Sequence, residues 1–129
     1  MRFSDLPERL REVRDRIDAA AQRGGHGQRV TIVAVTKTHG PEAVEAAFSA
    51  GLRDVGENRV QEALGKMDVV KAAIRWHLIG HLQRNKVKHV TRFDLVQSID
   101  SARLADAVNE VGQQNARPID VLVQVNVVG

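Results

Sequence analysis

Apolar residues change their period several times along this chain, and each change marks an element. Within residues 4–23, Leu6, Leu10, Val13 and Ile17 recur at spacings of four, three and four, which places them on one face of a helix. Arg9, Arg11, Glu12, Arg14 and Asp15 occupy most of the remaining surface. Ser4 or Asp5 can cap this helix, and Pro7 is tolerated in its first turn. The run Gly24-Gly25-His26-Gly27 ends it. A β-branched run over 30–36 then reads as a strand. Gly40 and Pro41 break the chain and open a helix to about Ala50, which Gly51 stops. The same reasoning predicts strands over 52–55, 75–79, 93–98 and 119–127. Helices fall over 58–73, 82–90 and 101–115, the last with Leu104, Ala105, Val108 and Val111 on one side.

A leading helix followed by alternating strands and helices implies βαβ units and a parallel sheet, with right-handed crossovers carrying the helices onto its faces. Two architectures accommodate five such strands. One is a doubly wound sheet, complete as it stands. The other is the N-terminal part of a (β/α)8 TIM-type barrel, which needs eight strands and ~250 residues. The chain stops just after the apolar fifth strand, and an open strand edge of that kind templates aggregation. The expectation is therefore one α/β domain over residues 1–129, a partial barrel truncated after its fifth strand, with association to cover the open edge.

Composition narrows the function classes. At 43% hydrophobic and 27% charged, the chain reads as globular rather than disordered. Aromatic residues are only 3%, so the core must be aliphatic, as suits buried parallel strands. The absence of cysteine excludes disulfides, thiolate metal sites and cysteine nucleophiles together. No apolar run approaches the ~20 residues that span a bilayer, and the charged N-terminus lacks a signal-peptide core, so a cytoplasmic location is expected. The net charge of +3 is mild. The one basic stretch, Arg84, Lys86, Lys88, His89 and Arg92, lacks interleaved aromatics for base stacking. It reads as a solvated helix face, and nucleic acid is not an expected partner.

Candidate chemistry clusters after the strands, where parallel α/β folds bind ligands. Lys37 follows the first strand and shares strand parity with Val33 and Val35. At a barrel mouth it would stand above an apolar floor, where an amine favours its neutral form and can attack an aldehyde. A lysine after a strand, taken alone, is more often a solvated loop residue. Residues 56–62 (GENRVQE) follow the second strand, and Asn58 could cap the next helix, face the mouth, or do both. His77 shares parity with Ile79, so it either meets a ligand or is hydrogen-bonded inside the fold. His77 and His81 have a metal-ligand spacing only on a helix, and a strand end separates them. No metal site is expected.

The order of the motifs is more specific than any one of them. VAVTK at 33–37, GENRVQE at 56–62, WHLIGHLQRNK at 76–86, SID at 98–100 and VQVN at 123–126 together resemble the pyridoxal phosphate homeostasis protein family. These proteins look like the N-terminal barrel of alanine racemase without its second domain. The resemblance implies a barrel whose first-strand lysine carries pyridoxal 5'-phosphate as a Schiff base. Lys37 matches that lysine, with Asn58 and His77 as candidate cofactor contacts. It also implies a carrier and regulator of vitamin B6 and amino-acid balance without catalytic turnover. The family holds the phosphate with loops after late strands, beyond the segments present here. A racemase-like enzyme is the alternative; it would need a second base, and the chain has no tyrosine, leaving His39 as a remote candidate.

Overall fold

In the computed structural model, which describes residues 3–128, the predicted alternation is present with altered boundaries. Helix α1 spans Leu6–Gly24, β1 Val33–Val35, α2 Pro41–Ser49, β2 Asp54–Glu57, α3 Val60–Val69 and β3 Arg75–Leu78. A 3-10 segment at Arg84–Arg92 precedes β4 (Leu95–Ile99), α4 (Ala102–Gln114) and β5 (Val121–Val123). Every adjacent strand pair is parallel, and the spatial order is β1-β2-β3-β4-β5. A doubly wound sheet reverses direction at a switch point. This one advances strictly sequentially, as an arc of a barrel does.

The helix side of the arc holds the core. Val55, Leu78 and Val96 project from successive strands and are fully buried. They pack with Val44 and Ala47 of α2, Ala63 of α3, Val87 and Val90 of the 3-10 segment, and Leu104 and Val108 of α4. The core is aliphatic apart from Trp76 and Phe93, as the composition requires. Burying these side chains against the strands is what makes short, low-propensity segments hold their shape.

Several boundaries moved for identifiable reasons. The second strand was expected over 52–55, yet Leu52 donates its amide to Ala47 O and still belongs to the turn closing α2. The strand instead runs on through Gly56 and Glu57. Gly56 is needed there because Ile79 and Val33 side chains lie within about 3.3 Å of where its Cβ would be. Helix α1 begins at Asp5 as its cap residue, but no side-chain cap bond forms, because the Asp5 carboxylate pairs with Arg9 at 2.7 Å. Ser101 does cap α4, accepting from the Leu104 amide at 3.1 Å. The first and fifth strands are each only three residues long.

Candidate functional site

Register shows what shares the uncovered face. Val35 pairs with Gly56, and Gly56 pairs with His77, so these three positions stand in one layer across the sheet. Asp54 and Arg75, also paired with each other, lie one layer nearer the strands' amino ends. Val35 is 54% exposed, since no opposite wall covers this face among the described residues.

Lys37 lies two residues beyond Val35, just past the carboxyl end of β1. The side chain of Thr36 is buried on the helix side and donates to Glu57 Oε2. Lys37 follows in a turn that the His39 amide closes on Thr36 O at 3.2 Å. Its side chain is exposed and makes no hydrogen bond or ion pair among the described residues.

A set of charges lies behind this lysine on the helix side. Glu57 is 0% exposed and Lys66, from α3, 4%. Lys66 Nζ donates to both Glu57 carboxylate oxygens at 2.9 and 2.8 Å and to Thr36 O at 2.9 Å. Glu62, one turn earlier on α3, lies 3.6 Å from Lys66 Nζ and accepts the Thr38 amide at 3.0 Å. Thr38 itself has φ +66°, a conformation uncommon for a β-branched residue. The GENRVQE block stands out in the sequence, but nothing in it gives Glu57, Glu62 or Lys66 a role. The available signal was the i, i+4 spacing of Glu62 and Lys66 on one helix; nothing local announced that both would turn towards β1.

His77 sits in a second polar network, on the uncovered face. Its Nε2 lies 2.9 Å from Asp54 Oδ1, and the Gln97 amide nitrogen 2.9 Å from its Nδ1. Arg75 completes the set with a bidentate grip on Asp54 at 2.9 and 2.7 Å. The Arg75 guanidinium holds the Asp54 carboxyl below the usual carboxylate range, opposed by burial and assisted by His77. Both ring nitrogens of His77 are thus occupied, and His81 is exposed outside this network. The described residues contain no cluster of three or more metal-ligating side chains.

Asn58 does not cap α3. The cap position is Arg59, in extended conformation and without a side-chain bond. Asn58 is half-buried at the rim, with its backbone against Gly80, where any Cβ would collide. Asn58, Arg59, Gln61, His81 and Lys86 wall a polar depression of about 570 Å³ at this same edge. Lys86 is turned towards Gln61 at 3.3 Å. Along the 3-10 segment, partial burial first, then Lys88, Lys86 and Arg92, push His89 below its ordinary range. None of the described helices is long and apolar enough to cross a membrane.

Residues 9–129 match the family described as alanine racemase, N-terminal domain. Among curated relatives, the pyridoxal phosphate homeostasis protein of Escherichia coli K12 is 38% identical over 97% of this chain and 56% of its own length. That of Aquifex aeolicus VF5 is 40% identical over 95% and 55%. The chain therefore spans about half the length of the curated relatives it matches. The solved structure of PipY from Synechococcus elongatus PCC7942 with pyridoxal phosphate bound superposes with a TM-score of 0.79 at 32% identity, covering 95% of this chain and 55% of that one. Histidine racemase from Leuconostoc mesenteroides, at 18% identity and TM-score 0.59, shares the fold alone.

Proposed function

The chain belongs to the alanine racemase N-terminal domain family, and on that premise we propose that it forms part of a pyridoxal 5'-phosphate-binding protein of vitamin B6 and amino-acid homeostasis, with Lys37 as the covalent handle. The observation that carries this reading is the placement of Lys37. It is an exposed amine without a partner among the described residues, just past the carboxyl end of β1. Lys66, close by in the fold, does not fit the role: it is buried, and its Nζ already donates to Glu57 and Thr36.

When bound, the cofactor would supply an aldehyde, and Lys37 Nζ would be the amine that holds it covalently. Asn58 at the rim is free to donate or accept towards the bound molecule. His77 stands one layer beneath Lys37, held by Asp54 and Gln97, and contributes a fixed floor rather than a mobile proton donor. Phosphate sites in closed barrels commonly follow strands seven and eight, so these five strands account for the amine and the floor of the site.

The reading assigns binding rather than turnover. The curated relatives are named for homeostasis. In the full-length protein, Lys37→Ala is expected to abolish the Schiff-base absorbance at the visible edge and the borohydride-trapped adduct. Trapping at another lysine in that variant would sink the assignment. Sustained racemisation of L-alanine by the unmodified protein would replace the carrier reading with the enzymatic one.

A further inference from the structure

We infer that Glu57, Glu62 and Lys66 form a clamp that fixes the backbone on both sides of Lys37 and so aims its amine; they are positioning residues for the Lys37 site, and the inference rests on that proposed site. The direction of the Lys37 Cα–Cβ bond is set by the two peptide planes that meet at its Cα. Each plane is tied to a charged side chain of α3. The carbonyl of the Thr36–Lys37 peptide accepts from Lys66 Nζ at 2.9 Å. The amide of the Lys37–Thr38 peptide donates to Glu62 Oε1 at 3.0 Å. Glu57 holds the third side of the arrangement. It binds Lys66 through both carboxylate oxygens and accepts the Thr36 hydroxyl.

Two features argue that this set does more than join α3 to the sheet. A buried ion pair is a weak means of stabilising a fold, because desolvation of both charges offsets most of their attraction and an apolar pair of similar volume packs as well. What an apolar pair cannot do is hold the Thr36 carbonyl and hydroxyl in fixed places. Thr38 is also held at φ +66°, and such strain persists only where surrounding contacts over-determine it. The strained residue is the immediate neighbour of Lys37, and the Glu62 bond acts on its own amide.

The test uses the full-length protein with and without cofactor. The charge-free, volume-conserving double variant Glu57→Gln with Lys66→Met is compared with Glu62→Ala and Glu62→Gln, the latter keeping an acceptor for Thr38. In cofactor-free protein, hydrogen exchange at the Thr38 amide is measured, together with acylation of Lys37 by acetic anhydride relative to exposed Lys71. In the loaded protein, the rate of borohydride-trapped adduct at Lys37 is followed. The clamp predicts Thr38 exchange at least about tenfold faster in the double variant and in Glu62→Ala, a trapping rate lower by at least about tenfold, and near-normal behaviour in Glu62→Gln. Unchanged exchange and trapping in a folded double variant would reduce the set to a structural join. If the double variant does not fold, Glu62→Ala against Glu62→Gln decides, since Glu62 is partly exposed. Should Lys37→Ala still trap cofactor elsewhere, the Lys37 site fails on that ground, while Thr38 exchange continues to judge the clamp.

Discussion

Lys37 and Lys66 carry the same side chain into opposite surroundings. Lys66 is buried with its amine directed at a carboxylate and a backbone carbonyl; Lys37 is exposed with no such partner among the described residues. The same contrast governs carboxylates. Glu57 is closed off behind the sheet, whereas Asp54 faces the other way and is gripped by Arg75 and His77. Because the folded Asp54 carboxyl is held below its usual range, its ionised form contributes stability that is fully present above the unfolded value near 3.9 and is lost as pH falls through the folded value. Asp54→Asn is therefore expected to cost about 1 kcal/mol near neutrality, a figure kept small because Arg75 is largely solvated. The difference from the unmodified protein should shrink below about pH 4 in denaturant titrations. A gap that stays constant into acid would show that the ion pair is not its source.

At the scale of elements, the site edge is built from loops in close approach. The β3 exit passes so near the β2 exit that Gly80 has no room for a side chain beside the Asn58 backbone. Gly80→Ala is expected to destabilise by about 1–3 kcal/mol through overpacking and to displace Asn58; thermal unfolding reads the first effect and the Asn58 amide shift the second. Helix α3 was legible from its apolar period, but its function was not. Periodicity identifies which residues face the sheet, and it labels Lys66 polar and therefore solvated. Only packing of α3 against β1 and β2 brings Lys66 to Thr36 and Glu57. The segment after β3 shows the converse: its basic composition was plain, while its 3-10 geometry over Arg84–Arg92 was not encoded in any period the sequence displays.

At the scale of the whole molecule, helices cover one face of the five-strand arc, and among the described residues nothing of the kind covers the other. Val123 is 72% exposed, and Val121, Leu122 and Val125 are exposed beside it. An apolar strand with free ladder groups recruits further strands. These 129 residues alone are expected to self-associate with rising concentration, measurable by light scattering, and Val123→Lys with Val125→Lys should suppress it. Persistence of the association in that double variant would place the contact elsewhere. The sequential strand order also explains why the candidate site residues come from successive blocks. Each strand delivers its exit loop next to the preceding one, so motif order in the chain becomes neighbour order around the mouth.

The sequence by itself determined the alternation of strands and helices, the aliphatic core, the parallel sheet and the position of Lys37 after β1. All of these follow from local period and from the strand-end rule for parallel folds. Family likeness was legible too, because the motif blocks occur in order. The tertiary structure alone decided between a doubly wound sheet and a barrel arc, since strand order is a long-range property. It also occupied both nitrogens of His77 with Asp54 and Gln97, relieved Asn58 of capping, and assembled Glu57, Glu62 and Lys66 around the backbone of Lys37. Those partners lie about 20 to 30 residues away from the groups they hold, and no local pattern encodes a hydrogen bond across that distance.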